Sequence, residues 1–340
     1  MPCLKLFTFC FYIGKNTYHE LVRMLYLLVM SLDRFHPDFF LVVYHNLGIT
    51  VDDPRVRMVY GFGGGGGWEV KGGGEGGGEG GGEGDERLLL LLDAEGCDGN
   101  VWVEGSAVRN RWHKLSFNKI RVFKLLYDEY EGECFTWIDL DTIVVADLSY
   151  LCLVDNYFVM HGGRGERSHD VLLGAGGSGS VLWAIPERMY IQGSFWKLNL
   201  SLYHEVLRLD ALFRENGVGL KYDLQSIFAV MAWGGESAPF YDGPSRAMTN
   251  SMLVFGYNYR PDVMNGLGVW DTKNTVGNHV NVDSLAEMKW TDAENGKAAI
   301  FRTNVYPDKE IHILSLTFDS FFASNISGTE QFSRLLNYVL

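Results

Sequence analysis

The spacing of hydrophobic residues in the first part of the chain predicts strands that alternate with a helix. Short apolar runs at 4–12 ("LKLFTFCFY"), 39–46 ("FFLVVYHN") and 56–62 ("VRMVYGF") are typical of buried β-strands. Residues 18–32 ("YHELVRMLYLLVMSL") carry apolar side chains at helical spacing. A strand–helix–strand opening of this kind is typical of a parallel sheet with helices on its faces.

The rest of the chain continues this alternation. Helical spacing predicts helices over 111–130, 200–216 and 223–233. Residues 172–186 read as a strand interrupted by glycines, and residues 309–318 read as a late strand. The predicted fold class is therefore α/β, with a central, mostly parallel sheet that is flanked by helices.

Length and composition agree with one large domain. The chain has 340 residues, of which 47% are hydrophobic and 14% aromatic, enough for a sizeable core. We therefore expect a single catalytic domain over 1–340. Within it, the glycine- and glutamate-rich run at 63–86 has too few apolar side chains to pack and predicts a disordered insert. This run also lacks the Lys-Ser/Thr ending of a phosphate-binding P-loop.

Charge and cysteine content narrow the classes of function. A formal net charge of -13 argues against a protein that binds nucleic acid or anionic membranes through bulk electrostatics. An acidic protein that handles phosphates needs a metal ion or a local basic cluster. The sequence contains no apolar run long enough for a transmembrane helix. The five cysteines show no CxxC spacing, which favours buried thiols in a reducing compartment and predicts a cytoplasmic location.

Two carboxylates stand inside one of the most apolar segments, "FTWIDLDTIVV" at 135–145. Side chains alternate along a strand, so Asp139 and Asp141 are expected to project to the same side of the sheet. Ligands of open α/β sheets bind at the carboxyl ends of strands, and paired carboxylates suit a hard cation such as Mg²⁺ or Mn²⁺. The alternative is that both residues only cap the helix that follows.

Five segments together resemble the GT-A-fold glycosyltransferases, either glycogenin-like enzymes or related members of that superfamily. "WIDLDTIVVADLSYL" resembles their DxD segment, and "RWHKLSFNKIRVFKL" resembles the helix that carries basic residues beside the donor. "GGSGSVLW" resembles the small-residue strand of the sugar pocket, "YDLQSIF" the downstream "DQ" helix, and "IHILS" a late strand with a histidine ligand. The order matches over nearly the whole chain outside 63–100. The chain departs from the pattern at Gly177-Ser178, where the asparagine is missing, at "DLQ", and after His312, where no glycine follows.

The resemblance implies a Rossmann-type nucleotide-diphospho-sugar transferase fold and a metal-dependent glycosyltransferase. The expected reaction moves a hexose from a nucleotide diphosphate sugar, a uridine diphosphate in preference to a guanosine diphosphate, to a glycan or another hydroxyl acceptor. Mn²⁺ or Mg²⁺ is the implied cofactor, with Asp139, Asp141 and His312 as its ligands. In this family the first aspartate, here Asp139, also contacts the donor ribose.

The remaining candidate residues follow from the ends of the predicted elements and from the resemblance. The candidates for donor binding are Thr8, Phe9, Tyr12, Asn46, Lys119, Arg121, Asp139, Gly177 and Ser178. Lys119 and Arg121 would neutralise phosphate, although a solvated helix face explains them equally well. The catalytic candidates are Asp223 and Gln225; Asp223 would be the base of an inverting enzyme or would orient the donor of a retaining one, and it also fits a helix N-cap.

Two other classes of protein stay open on the sequence. Haloacid-dehalogenase-like phosphatases also place a DxD motif at a strand end, but they carry glycine and then Thr or Val after the second aspartate, where this chain has Thr142-Ile143. A non-catalytic module that binds a nucleotide sugar or a glycan would bind without turnover. Assays of phosphate release and of sugar transfer separate these alternatives.

Overall fold

The structure is a computed structural model. It describes residues 4–11, 18–60, 107–153, 157–162, 168–173, 181–186, 191–216, 224–234, 253–258, 275–280, 288–291, 300–303 and 313–316. The insert predicted at 63–86 lies outside the described residues. The candidate site residues outside them are Tyr12, Gly177, Ser178, Asp223 and His312.

The first four elements follow the predicted order. Strand β1 spans Lys5–Cys10, helix α1 spans Tyr18–Phe35, and strands β2 and β3 span Phe40–His45 and Val56–Tyr60. The three strands are parallel to one another, with β1 paired to β2 and β2 paired to β3. The strand–helix–strand opening is therefore confirmed.

Further helices and strands follow β3 along the chain. In order, they are α2 (Ala107–Glu129), β4 (Thr136–Ile138), β5 (Thr142–Val144), a 3₁₀ helix (Ser149–Leu153), β6 (Tyr157–Gly162), β7 (Ser168–Leu173), β8 (Val181–Pro186), β9 (Ile191–Lys197), α3 (Leu200–Asn216), α4 (Leu224–Trp233), β10 (Leu253–Asn258), β11 (Thr275–Val280), β12 (Met288–Thr291), β13 (Ile300–Thr303) and β14 (Ile313–Leu316). Helix α3 begins after Asn199, whose Oδ1 accepts the Leu202 N–H at 2.9 Å as an N-cap.

Two predicted strands divide in the structure. The segment 135–145 forms β4 and β5, and Asp139 to Asp141 lie in the turn between them, outside both strands. The segment 172–186 contributes to β7 and β8, which pair with each other in a separate two-stranded antiparallel sheet. The glycine-interrupted strand is therefore wrong as one element, and the alternation argument for the two aspartates does not hold.

Within the described residues, the main sheet has ten strands in the order β3-β2-β1-β4-β9-β6-β10-β11-β14-β5. Six of its nine neighbouring pairs are parallel, and the antiparallel pairs are those that β9 makes on both sides and that β5 makes at the edge. The predicted α/β fold with a central, mostly parallel sheet is confirmed.

Helices cover the two faces of the sheet with different kinds of side chain. On one face, which we call the α2 face, α2, α3 and α4 enclose a core rich in aromatic rings, among them Phe7, Trp137 and Trp196. On the other, the α1 face, aliphatic residues such as Leu25 and Leu28 of α1 pack against β1 and β2. Residues of β1 alternate between the two cores, so this strand is buried on both sides, as is typical of parallel sheets.

Helix α1 also holds the segment that follows the two aspartates. Ser31 Oγ donates to the Leu28 carbonyl at 2.8 Å and accepts the Val144 N–H at 3.1 Å. His36 Nε2 accepts the Leu148 N–H at 2.8 Å. Both side chains are buried, so the end of β5 and the chain beyond it have a fixed position relative to the α1 face.

The short connection between β4 and β5 requires a curved sheet. Five strands separate β4 from β5 in the sheet order. Adjacent strands lie about 4.8 Å apart, whereas the turn of Asp139 to Asp141 spans at most about 14 Å when fully extended. The far edge of the sheet therefore curves back toward the carboxyl end of β4, and Ile313 of β14 indeed packs in the same core as Ile138.

Two expectations from the sequence concern the state of the cysteines and the presence of membrane-spanning helices. The cysteines whose side chains are described, Cys10, Cys134 and Cys152, are not joined in disulfides, and burial raises the pKa of Cys10 to about 12. Among the described helices, none combines the length and the apolar character that a membrane crossing requires.

Candidate functional site

The candidate site lies where the strand order of the sheet reverses. From β1 the chain proceeds outward through β2 to β3 and then returns to β4 on the other side of β1. The crevice at the carboxyl ends of two such strands is where open α/β sheets bind their ligands. Strand β4 ends at Ile138, so Asp139 stands directly at this position.

Asp139 is held by two donors and by its own backbone. Its Oδ1 accepts the Trp137 Nε1–H at 2.8 Å and the Lys119 ammonium at 2.9 Å. Its N–H donates to the Ser194 carbonyl at 2.8 Å, which continues the pairing of β4 with β9. These hydrogen bonds fix the orientation of the Asp139 carboxylate. Its side chain is 29% exposed and therefore remains accessible to a ligand.

Lys119 is a buried cation and not part of a solvated helix face. The residue is 8% exposed, and its ammonium also donates to the Gly193 carbonyl at 3.2 Å. It lies 4.1 Å from the centre of the Trp137 ring, within the range of a cation–π contact. A buried charge is tolerated when it is paired and hydrogen-bonded, and Lys119 meets both conditions through groups at the site.

Gln225 reaches the same place from α4. A Cβ atom added at Gly193 would lie 3.1 Å from Gln225 Cγ and 3.2 Å from its Nε2, so the amide side chain occupies the space beside this glycine. Gly193 thus contacts Gln225 on one side and Lys119 through its carbonyl. Three residues predicted from the sequence, Lys119, Asp139 and Gln225, meet around one glycine that was not predicted.

The contact between Gly193 and Gln225 leads to a stability prediction. We expect Gly193→Ala to lower the free energy of unfolding by about 1 kcal/mol, at the low end of the range for overpacking, because the new methyl group displaces Gln225. In the Gln225→Ala background the same change should have little effect, since the space is then open. Urea denaturation of the four variants of this double-mutant cycle measures the coupling, and equal effects of Gly193→Ala in both backgrounds would contradict it.

Asp141 completes the acidic pair, and β14 lies close to it. Asp141 is half-buried and directly precedes β5, in which Thr142 pairs with Ser315 of β14. His312 lies outside the described residues. The antiparallel register places Ile313 opposite Val144, so the chain approaches Asp141 as it passes from Ile313 to Ser315.

The residues at this turn fit a divalent cation in part. Carboxylates are suitable ligands, and the two hydrogen bonds that described side chains give Asp139 both reach Oδ1. Lys119, however, already neutralises Oδ1. No group of three or more His, Cys, Asp or Glu side chains suited to a metal ion occurs in the part of the chain that the structure describes. The described residues therefore offer two carboxylates to a metal ion, and oxygen atoms of the substrate would have to supply further ligands.

Of the other predicted donor-binding residues, Phe9 and Asn46 lie near the carboxyl ends of β1 and β2. Phe9 is half-buried, and its ring lies 4.9 Å from that of Trp137, next to Asp139. Asn46 follows β2 at the carboxyl edge. Thr8 is fully buried, and strand alternation turns it to the α1 face, away from Lys119. Arg121 is half-buried on α2, and its guanidinium lies 3.4 Å from Asn118 Oδ1.

Sequence reasoning missed Trp137, Gly193 and Ser194. Trp137 has a detectable signal, because it stands two residues before Asp139 in an apolar segment. Gly193-Ser194 is a small-residue pair inside the apolar strand β9, but the resemblance to the sugar-pocket strand indicates the pair at Gly177-Ser178 instead. Only the position of β9 beside β4 shows which pair adjoins the aspartate.

A buried histidine also lies at the carboxyl edge. His45, the last residue of β2, is 4% exposed, and its ring contacts Tyr60 edge-on at 5.7 Å. Burial lowers the pKa of His45, so the imidazole is neutral near pH 7. Its Nδ1 has no hydrogen-bond partner within the described residues.

Comparisons with known proteins give distant structural likenesses. No protein-family model matches the chain, and no curated protein matches it. Mouse xyloside xylosyltransferase 1 in its apo form is similar to the chain with a TM-score of 0.44 and 10% sequence identity, over 94% of this chain and 99% of that one. The apo WbbM bifunctional glycosyltransferase is similar with a TM-score of 0.36 and 14% identity, over 67% of this chain and 36% of that one. Both TM-scores lie below 0.5, so a proposal about function has to rest on the residues of this chain.

Proposed function

We propose that this chain is a metal-dependent glycosyltransferase with a GT-A-like fold. Its donor is a nucleotide diphosphate sugar, a uridine diphosphate in preference to a guanosine diphosphate, and the transferred group is a hexose. The acceptor is a hydroxyl group of a glycan or of another molecule. The cofactor is Mn²⁺ or Mg²⁺.

One observation carries the proposal: Lys119, Asp139 and Gln225 converge at the carboxyl end of β4, beside the point where the strand order reverses. A cation, a carboxylate and an amide at one site suit a ligand with both phosphate and sugar hydroxyl groups. The acidic pair of Asp139 and Asp141 adds the hard oxygen ligands that phosphate-binding sites use for Mg²⁺ or Mn²⁺.

The chain's own residues would act on the donor in separate ways. When bound, a divalent ion would act as a Lewis acid on the charge that develops on the diphosphate leaving group. Asp139 and Asp141 would hold that ion, and His312 is proposed as a further ligand. Lys119 keeps the Asp139 carboxylate in one orientation and brings a positive charge to the phosphate side of the site. Phe9, packed against Trp137, offers an aromatic face near the first strand for the nucleotide base.

Gln225 lies in the first turn of α4, the helix that we propose faces the sugar, and Asp223 directly precedes this helix in the sequence. The Gln225 amide both donates and accepts hydrogen bonds, which suits a sugar hydroxyl, and Gly193 leaves room for it. We propose Asp223 as the base of an inverting reaction or as the group that orients the donor of a retaining one.

A screen of nucleotide sugars tests this function. Purified protein is incubated with UDP- and GDP-hexoses, with and without Mn²⁺, and release of the nucleoside diphosphate is measured. We expect metal-dependent hydrolysis of at least one UDP-hexose, which chelation with EDTA removes.

Two other outcomes would contradict the proposal. Hydrolysis of p-nitrophenyl phosphate with no turnover of any sugar nucleotide would indicate the phosphatase. Saturable binding of a nucleotide sugar without hydrolysis or transfer, across the acceptor sugars tested, would indicate the binding module.

A further inference from the structure

A buried histidine connects the end of α1 to the chain that follows β5. His36, directly after α1, is 3% exposed, and its Nε2 accepts the Leu148 N–H at 2.8 Å. Leu148 belongs to residues 146–151, which lead from β5 into the 3₁₀ helix and which we call the post-β5 segment. Since β5 begins directly after Asp141, this segment belongs to the chain that leaves the candidate site.

The backbone of His36 is fixed on both sides of the imidazole. Its N–H donates to the Leu32 carbonyl at 2.7 Å, and its carbonyl accepts the Phe39 N–H at 2.9 Å. Leu148 and Leu151 of the post-β5 segment pack in the same core as α1. Because its backbone is held in this way, the imidazole has little freedom to follow the post-β5 segment when that segment moves.

The hydrogen bond to Leu148 requires a neutral imidazole. Nε2 accepts a hydrogen bond only while it carries no proton, so the neutral ring of His36 has its proton on Nδ1. Protonation of Nε2 would place a second donor opposite the Leu148 N–H. Two donors cannot bond to each other, and a buried N–H without an acceptor is costly. The neutral ring therefore attaches the post-β5 segment, and the imidazolium cannot.

Two carboxylates act on the imidazole from neighbouring elements. Asp147 of the post-β5 segment has its Oδ1 at 3.7 Å from His36 Nδ1, and Asp38 lies in the turn after α1. Both favour the imidazolium. Both are also exposed, Asp147 by 72%, so solvent screens their attraction, and neither accepts a hydrogen bond from Nε2 in place of the Leu148 N–H.

The cations on the elements around His36 direct their charge to other groups or to solvent. Arg55 pairs with Asp33 of α1, and Lys197 donates to the Leu151 carbonyl at 3.1 Å. Arg34, in the last turn of α1, is exposed. Burial and the two carboxylates therefore set the electrostatic environment of the imidazole.

Burial is the largest of these influences, and it lowers the pKa of His36 below its ordinary value of 6.5. Asp147, Asp38 and a hydrogen bond to the Ala146 carbonyl raise the pKa in opposition. Because a detached, solvated His36 binds a proton more readily than the buried one, acid favours detachment. The contact is at full strength above about pH 6.5 and weakens as the pH falls below that value.

We propose that His36 is a pH-dependent switch that holds the post-β5 segment against α1 as a neutral ring and detaches this segment as an imidazolium. The proposal rests on the hydrogen bond between Nε2 and the Leu148 N–H and on the burial of both partners. It does not depend on the proposed glycosyltransferase function.

Amide hydrogen exchange, resolved by residue with NMR on the full chain, tests the switch. The protection of the Leu148 amide is measured at about pH 7.5 and about pH 5.5, after correction for the intrinsic effect of pH on exchange. Val206, buried in α3, is the internal reference for global stability. We expect the protection of Leu148 relative to Val206 to fall at least about fivefold at the lower pH, because its N–H loses its acceptor.

Two variants assign this change to His36. In His36→Gln, the side-chain oxygen still accepts a hydrogen bond but does not titrate, so the relative protection of Leu148 should not depend on pH. His204→Gln makes the same change on the exposed side of α3 and should keep the fall seen in the unmodified protein. An equal fall in His36→Gln would overturn the proposal. So would a constant relative protection in the unmodified protein, which decides the matter without any variant.

Discussion

Replacing Asp141 by asparagine is expected to lower the rate of sugar transfer at least about 100-fold. The amide keeps the shape of the carboxylate but loses its negative charge and so becomes a poor ligand for a hard cation. Removal of one electrostatic contact with developing charge typically reduces kcat by roughly 10²–10³-fold. Because Asp141 lies half-buried in a turn and not in a strand ladder, we expect the fold to be retained.

Asp128→Asn is the matched control. Asp128 undergoes the same chemical change on the exposed side of α2, where it pairs with Lys124. We expect this variant to have the parent activity. Initial rates are measured over a series of Mn²⁺ concentrations for both variants, with circular dichroism as the test of folding. If Asp141→Asn transfers sugar at the parent rate in the presence of chelator, the metal site assigned to this turn is wrong.

Replacing Trp196 by alanine is expected to produce the largest loss of stability among the described residues that we consider. Trp196 is fully buried at the centre of the α2 face, where its ring contacts those of Phe7 and Phe228 at 5.7 and 5.5 Å and stacks on Trp137 at 6.3 Å. Truncation of a buried tryptophan removes these contacts and leaves a cavity, which costs about 3–5 kcal/mol. Urea denaturation at neutral pH measures the change in unfolding free energy.

Two control variants separate the contribution of the ring from that of its N–H group. The Trp196 Nε1–H is buried and has no hydrogen-bond partner within the described residues, so Trp196→Phe keeps most of the packing without breaking a hydrogen bond seen there. We expect its effect to stay below about 2 kcal/mol. Tyr26→Ala, on the exposed side of α1, should change stability by less than about 0.5 kcal/mol. A Trp196→Ala effect as small as that of Tyr26→Ala would show that this core is packed differently.

Some features of the candidate site can be predicted from neighbouring residues in the sequence, whereas others depend on contacts between distant parts of the chain. The aspartates and Lys119 are recognisable because each interrupts a pattern of apolar residues, and such patterns depend only on neighbours along the chain. The contact between Lys119 and Asp139 cannot be predicted from such local patterns. Lys119 reaches Asp139 across 20 positions and Gly193 across 74, and both contacts depend on how β9 pairs beside β4.

The same limit explains the strand that was wrongly extended through Asp139 and Asp141. Apolar residues on both sides of the pair are buried, so the local pattern is that of one strand. The structure instead ends β4 at Ile138 and pairs β5 with β14, a partner more than 150 residues away in the chain. A strand ends where its hydrogen-bond partners end, and the identity of those partners is a property of the whole sheet.

By itself, the amino-acid sequence determined the alternation of strands and helices, the α/β class and the presence of two carboxylates within an apolar segment. It did so because helical and strand periodicities and buried charge are read from adjacent residues. Only the tertiary structure decided the insertion of antiparallel β9, the role of Gly193 and the pairing of Lys119 with Asp139. Those features arise from contacts between segments that are distant in the sequence, and side-chain periodicity does not predict which segments pack together.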